Sequence, residues 1–220
     1  MTDDQPFPEL AGMRRNYGQQ PLRKADLAPT WHGQLRAWLD DAESAGLREP
    51  NAMVLATADR EGRPHTRTVL LKDLSPDGLT FYTNYNSSKG KDLAANKFCS
   101  VTFPWIDMTR QVTVVGHAKR GSDEAADAYF SSRPYGSQIG ALASEQSSRI
   151  ESREVLDRRA SELREQYPEG SVIPRPWNWG GFELTPTSVE FWQGRADRLH
   201  DRLRYTRTAD GAWIIERLSP

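Results

Sequence analysis

Arg198, His200 and Arg202 stand at every second position of the stretch Arg198-Leu199-His200-Asp201-Arg202. Side chains alternate between faces in an extended strand, so the spacing predicts that these three project onto one surface and Leu199 onto the other. Val189, Phe191 and Trp192 before the stretch and Tyr205 after it favour a strand. Two guanidiniums flanking an imidazole make a receptor for a small, planar, anionic ligand. The same pattern suits a solvated edge-strand face, so the choice rests on other segments.

Three of these carry anion chemistry. Arg67-Thr68-Val69-Leu70-Leu71-Lys72 sets two cations on an apolar strand, but at opposite parity. A bulge, or a strand end near Asp73, has to redirect Lys72. The segment from Asn84 to Lys91 passes from a strand end into a helix start. Unsatisfied N–H groups, the positive end of the helix dipole, the hydroxyls of Ser87 and Ser88, and Lys89 suit a phosphate there. The glycine pattern of a Walker loop is absent, and ordinary N-capping explains the segment as well. Tyr129 and Arg133 share a helix face, and Ser137 follows the break at Pro134. Phenol, guanidinium and hydroxyl fit a phosphate monoester, or simply decorate a surface. Gln146-Ser147-Ser148-Arg149 can line a cofactor edge or cap a helix. Trp177, Trp179 and Trp192 can stack on a flat ring or pack. Taken together, these segments point to two phosphorylated aromatic ligands meeting in one cleft.

Other chemistries are disfavoured. His32, His65, His117 and His200 show no metal spacing, and no metal site is expected. Cys99 is the only cysteine, which excludes an intrachain disulfide, and Phe98-Cys99-Ser100-Val101 reads as a strand with a small core residue. No Gly-x-Ser-x-Gly elbow is present. The net charge of -1 across 220 residues gives no global field toward nucleic acid or anionic lipid. No stretch is apolar enough for a membrane span, and the first residues form no signal-peptide core, so a cytoplasmic protein is expected. Seven Trp and seven Tyr suit ligand stacking or a subunit interface.

The elements that must position these residues read as follows. Residues 1–28 are polar, proline-punctuated and aperiodic, a mobile arm. Thr30 caps a helix with Trp31, Leu35, Trp38, Leu39 and Ala42 as its apolar stripe, ending near Gly46. Strands follow at 52–58, 65–72 and 79–84 as an antiparallel meander, with a turn at Ser75-Pro76-Asp77-Gly78. A short helix spans 88–96 and strands cover 98–105 and 111–118, the latter valine-rich and expected to be buried on both faces. Helices span 122–132 and 151–166. The last strands are 181–184, 189–193, 198–205 and 212–218, with Asp210-Gly211 turning the final hairpin. This pattern predicts a mainly β chain with peripheral helices (α+β), a single β-barrel domain over 29–220.

The ordered set Arg67-x-Val69-Leu70-Leu71-Lys72, Phe81-Tyr82-Thr83-Asn84, Ser88-Lys89, Arg110-Gln111-Val112, Tyr129-Phe130-x-Ser132-Arg133-Pro134 with Ser137, Gln146-Ser147-Ser148, and Phe191-Trp192-Gln193-Gly194 through Arg202 closely resembles the pyridoxine (pyridoxamine) 5'-phosphate oxidase family. The likeness runs from Met13-Arg14-Arg15-Asn16-Tyr17 to the terminal Ser219-Pro220. It implies an FMN-binding split β-barrel, a homodimer with FMN between the subunits. The implied reaction oxidises pyridoxine 5'-phosphate or pyridoxamine 5'-phosphate to pyridoxal 5'-phosphate, with dioxygen reduced to hydrogen peroxide. By resemblance the FMN-binding positions are Arg67, Thr68, Val69, Leu70, Leu71, Lys72, Tyr82, Thr83, Ser88, Lys89, Gln111, Gln146, Ser147, Trp192 and Arg202. The substrate positions are Arg14, Tyr17, Lys72, Tyr129, Arg133, Ser137, Arg198 and His200, with Arg198 and His200 catalytic and Arg14 to Tyr17 part of a segment that folds over the occupied site. Ser88 departs from the family, where many members carry arginine. Rival readings on the same residues are another flavin or deazaflavin enzyme on this barrel, a non-catalytic FMN or pyridoxal phosphate binder, and a nucleic-acid binder using Arg195, Arg198, Arg202, Arg204 and Arg207.

Overall fold

Thr30 caps the first helix as its residue type requires: its Oγ1 accepts the Gly33 backbone N–H at 3.2 Å. Helix α1 (Trp31–Ser44) buries Trp31, Leu35, Trp38, Leu39 and Ala42, the stripe expected from the sequence. Gly46 follows at φ +73°, the left-handed conformation that ends helices. The computed structural model describes residues 20–220 together with Gly12, Tyr17 and Gly18; Arg14 lies outside the described residues.

Nine described strands, all antiparallel, build one sheet: β1 (Ala52–Ala58), β2 (Pro64–Leu70), β3 (Asp73–Ser75), β4 (Gly78–Asn84), β5 (Phe98–Trp105), β6 (Arg110–Arg120), β7 (Trp179–Gln193), β8 (Asp201–Arg207) and β9 (Trp213–Leu218). The order is β2-β1-β5-β6-β7-β4-β3, with β8 also on β7 and β9 on β8. Strand β7 explains the split in this barrel. Strand β6 pairs with it along one side, while β4 takes its first part and β8 its last part on the other. The handover lies at a bulge, where Val115 pairs Ser188 but Gly116 pairs Pro186. Pro186 has no N–H to donate. A Cβ on Gly116 would lie 2.1 Å from the Thr185 carbonyl oxygen, so only glycine fits the approach.

Helices α2 (Ser88–Ala95), α3 (Asp123–Ser132), α4 (Tyr135–Ala143) and α5 (Arg153–Gln166) lie around the sheet. The main core contains Leu55, Phe81, Phe103, Phe191, Leu203 and Tyr205, closed by the Trp38 ring, whose centroid is 5.2 Å from that of Phe191. A smaller core of Phe130, Ile139, Ile173 and Trp179 joins α3 and α4 to β7. Cys99 is buried in the main core, and that burial pushes its thiol up to about 12.

Several expectations are corrected. Arg198, His200 and Arg202 are not alternate residues of one strand. Ala196–Arg198 form a 3-10 turn in which Asp197 and Arg198 take φ +54° and +61°, and β8 starts at Asp201. The meander is broken: the Leu71 N–H donates to the Asn51 carbonyl beside β1, whereas the Lys72 N–H donates to Thr80 of β4. The chain changes partner between these residues, which resolves the parity conflict of Arg67 and Lys72. Strand β6 is not buried on both faces; Val112, Val114, Gly116 and Ala118 are buried while Val115 is 44% exposed. The separate strands expected at 181–184 and 189–193 are one, and the break at Pro134 is followed at once by α4, an element the sequence pattern does not predict. Residues 20–28, assigned to the arm by the sequence, are docked, with Leu22 buried.

Candidate active site

A cavity of about 680 Å³ opens where β2, β4, α2, α3 and α4 meet, inside the roughly 300–1,000 Å³ range of small-molecule sites. Thr68, Val69, Leu70 and Lys72 reach it from β2 and its exit, Tyr82 and Thr83 from β4, and Lys89 from α2. Tyr129, Arg133 and Ser137 line it from the α3–α4 junction, with Gln146 beyond. Leu71 is buried in the main core instead.

Helix α4 faces the cavity through Ser137, Gly140 and Ala141, continued by its C-cap Ser144. These are small residues at i, i+3, i+4 and i+7, one helical face that leaves room for a ligand. Arg133 and Pro134 sit at the N-terminal end of this helix, where free amides and the dipole favour an anion. Tyr82, Tyr129 and Trp179 lie near-parallel to one another, with centroid distances of 4.1 Å (Tyr82–Tyr129), 5.4 Å (Tyr82–Trp179) and 6.1 Å (Tyr129–Trp179), giving the cavity an aromatic wall.

Among the described residues, Arg133 and Lys89 in this cavity have no anionic partner. The Arg133 guanidinium lies 4.7 Å from the Trp179 ring centroid, and its buried Nη1 has no hydrogen-bond partner among the described residues. Burial holds its pKa below the ordinary arginine value, with Tyr129 pulling the other way. Lys89 is only 7% exposed, and its Nζ donates to Thr83 Oγ1 at 3.3 Å. Burial, reinforced by Arg67, pushes its pKa down. Buried charges are normally paired, and an anion entering the cavity would meet both cations.

Around Lys89 the cavity edge is tied together. Gln146 Oε1 accepts from Thr83 Oγ1 at 3.0 Å, and Ser147 Oγ accepts the Ser88 N–H at 3.2 Å. Ser147 has φ +72°, so this joint is held in the left-handed region. Arg67 Nη1 donates to Thr57 Oγ1 at 2.6 Å, and its Nη2 lies 3.5 Å from Asp92. Asp92 also accepts from Thr57 Oγ1 at 2.6 Å. The sequence reading missed Asp92, although its place three residues after Lys89 on one helix face was a readable signal.

The remaining predicted residues form a second group, outside this cavity. Gln111, Trp192 and Arg202 are register neighbours on β6, β7 and β8, one row across the sheet. Val112, Phe191 and Leu203 beside them point into the core, so the row faces outward. Arg202 is held by Glu190 through Nε at 2.7 Å and Nη2 at 3.1 Å, and by the Ser219 carbonyl. The Glu190 hydrogen bond raises its pKa. No local spacing signalled Glu190, because only the β7–β8 register brings it close.

His200 packs beside this row, 4.7 Å from the Trp192 centroid and 5.6 Å from that of Tyr17. Its Nδ1 accepts the Arg195 backbone N–H at 3.1 Å, which assigns the ring proton to Nε2. Arg198 is exposed at the 3-10 turn, without a hydrogen bond or ion pair among the described residues. Trp177 is 81% exposed and touches neither group.

Residues 39–167 match the family model described as pyridoxamine 5'-phosphate oxidase. The chain belongs to the pyridoxamine 5'-phosphate oxidase family. Residues 179–220 match the family's pyridoxine 5'-phosphate oxidase C-terminal dimerisation region, so Trp192, Arg198, His200 and Arg202 all lie in the part through which the family dimerises. The pyridoxine/pyridoxamine 5'-phosphate oxidase of Streptomyces avermitilis is 52% identical over 225 residues, covering 100% of both chains. That of Salinispora arenicola is 51% identical over 211 residues, covering 96% of each. Among solved structures, PhzG from Burkholderia lata in complex with tetrahydrophenazine-1-carboxylic acid is similar at TM-score 0.85 and 31% identity, covering 92% of this chain and 99% of that one. A pyridoxamine 5'-phosphate oxidase-related, FMN-binding protein from Nostoc punctiforme has TM-score 0.69 at 21% identity, covers 89% of this chain and 100% of its own, and shares the fold. The family assignment makes this chain an oxidoreductase on a split barrel, and no described helix is long and apolar enough to cross a membrane.

Proposed function

We propose that this chain oxidises pyridoxine 5'-phosphate and pyridoxamine 5'-phosphate to pyridoxal 5'-phosphate, with FMN as cofactor and dioxygen as electron acceptor. The observation that carries the reading is a pair of cations without a carboxylate partner among the described residues, Lys89 and Arg133, contributed to one cavity by different elements. A cofactor phosphate and a substrate phosphate need one such cation each.

The residues present fit FMN. Lys89, Arg67 and the first turn of α2 suit its phosphate, while Thr68, Leu70, Thr83 and Gln146 offer polar and backbone groups along the same wall. When bound there, FMN would supply the hydride-accepting and oxygen-reducing chemistry that no side chain of the cavity can.

The chain's own residues place the substrate. Arg133, with Ser137, Tyr129 and Lys72, holds the phosphate; a bidentate guanidinium fixes orientation as well as charge. Lys72 Nζ lies 6.0 Å from the Tyr129 ring centroid, on the same side of the cavity. His200 presents Nε2–H as a donor to the oxygen substituent of the pyridine ring, because Nδ1 is occupied. Arg198 covers the ring with a cation.

His200 and Arg198 are outside the cavity of their own subunit, so in this reading a partner subunit supplies them across a homodimer interface. Their position in the dimerisation region supports that. Steady-state turnover tests the whole reading. Pyridoxal 5'-phosphate and peroxide should form in equal amounts from pyridoxamine 5'-phosphate. A substrate such as tetrahydrophenazine-1-carboxylic acid, which has a carboxylate but no phosphate, should not compete. Oxidation of that acid with no action on the phosphate ester would contradict it.

A further inference from the structure

Leu22 is fastened to the β8–β9 corner by both of its backbone polar groups. Its N–H donates to Asp201 Oδ2 at 3.1 Å, and its carbonyl accepts from Arg217 Nη2 at 2.9 Å. Asp201 and Arg217 are themselves an ion pair at 2.5 Å, and the Leu22 side chain is buried. Lys24 adds a second tie, its Nζ donating to the Ile215 carbonyl at 2.9 Å. Burial pushes the Asp201 carboxyl up, yet the Leu22 N–H and Arg217 hold it below the usual range.

The other end of this short segment reaches the substrate-facing group. Tyr17 stands edge-on to Trp192 at 5.9 Å and to His200 at 5.6 Å. The seat depends on Gly194: a Cβ there would lie 2.9 Å from Tyr17 Cγ and 3.0 Å from Thr109 Cβ. Five residues span at most about 17 Å, so fixing Leu22 confines Tyr17 to the neighbourhood of His200. Asp201 is also next to His200 in sequence and 3.7 Å from Arg195 Nε, whose backbone N–H orients the His200 ring.

We propose that Asp201 and Arg217 are positioning residues that tether the N-terminal segment at Leu22, so that Tyr17 is held over His200 on the substrate side of the site. The inference rests on the proposed placement of His200 at the substrate. Neither residue touches the reacting atoms; both act through Tyr17.

The test uses the FMN-loaded protein, with Asp201→Ala, Arg217→Ala and the double variant. Arg23 and Lys24 are exposed beside the tether, so trypsin cleavage after them reports local release. Each single variant should be cut about tenfold faster and raise the KM for pyridoxamine 5'-phosphate about tenfold, with kcat within about twofold and FMN affinity unchanged. The double variant should be no worse than either single one, because the two residues act as one clamp. Gly194→Ala should raise KM without speeding cleavage, since it unseats Tyr17 and leaves the tether intact. If Asp201→Ala does not fold, the half-exposed Arg217 carries the test. Cleavage at the wild-type rate, or a fall in kcat with KM unchanged, overturns the proposal. A wild-type protein inert toward pyridoxamine 5'-phosphate would refute the proposed function instead, while the cleavage rates would still decide the tether.

Discussion

Removing Arg133 should separate function from stability, and the structure gives the size of each effect. In the free protein two contributions oppose. The guanidinium stacks on Trp179 at 4.7 Å and lies 5.7 Å from the Phe130 centroid, which favours it by about 0.5–2 kcal/mol. Its buried, unpartnered Nη1 costs about 1–3 kcal/mol. Arg133→Ala should therefore destabilise the apoprotein by no more than about 1 kcal/mol, a Tm drop of at most roughly 2–4 °C for a chain of this length. In the occupied site the account is one-sided. Two charge-assisted bonds to phosphate, at about 1.5–3 kcal/mol each, disappear with nothing in return, so kcat/KM should fall roughly 10²–10⁴-fold. Arg133→Lys keeps the charge but loses the planar fork and should recover only part of the loss. Thermal unfolding of the apoprotein and steady-state kinetics at varied pyridoxamine 5'-phosphate give the two numbers. A Tm drop of more than about 8 °C with kcat/KM within tenfold of wild type would mean that Arg133 holds the fold and the anion argument is wrong.

Lys89→Met should abolish tight FMN binding, read by flavin fluorescence quenching, while leaving the apoprotein folded. Because the folded-state pKa of Lys89 lies below its unfolded value of 10.5, the folded chain sheds this proton first; apoprotein stability gained from it rises with pH toward 10.5, and urea midpoints should show that slope in wild type but not in Lys89→Met. His200→Asn keeps an acceptor for the Arg195 N–H but loses Nε2–H, so kcat/KM should fall about 10–100-fold with FMN content unchanged; full turnover would remove His200 from the site. Thr30→Ala loses the N-cap of α1 at about 1 kcal/mol, lowering Tm by roughly 2–4 °C with kinetics unaltered; an altered KM would tie α1 to the substrate.

What the sequence made legible divides along local and non-local lines. Thr30 and the stripe Trp31 to Ala42 were readable because capping and helical period are properties of neighbouring residues. The parity conflict between Arg67 and Lys72 was visible too, and its resolution by a change of strand partner at Leu71 was the alternative a strand end offered. The alternation of Arg198, His200 and Arg202 misled. Nothing in their side chains announced the positive φ at Asp197 and Arg198 that turns the chain before β8. Helix α4 was hidden behind Pro134, although Ser137, Gly140, Ala141 and Ser144 carried a helical period of small residues. Glu190 and Asp201 could not be found at all, since their partners come from a strand register and from a segment 179 residues away.

The central claim is that Lys89 and Arg133 bring a cofactor phosphate and a substrate phosphate into one cavity, and anaerobic reduction tests it most directly. Purified protein loaded with FMN should lose its yellow flavin absorbance on one equivalent of pyridoxamine 5'-phosphate, and regain it when oxygen is admitted. Flavin that stays oxidised under those conditions, while the substrate is shown to be bound, would contradict the account.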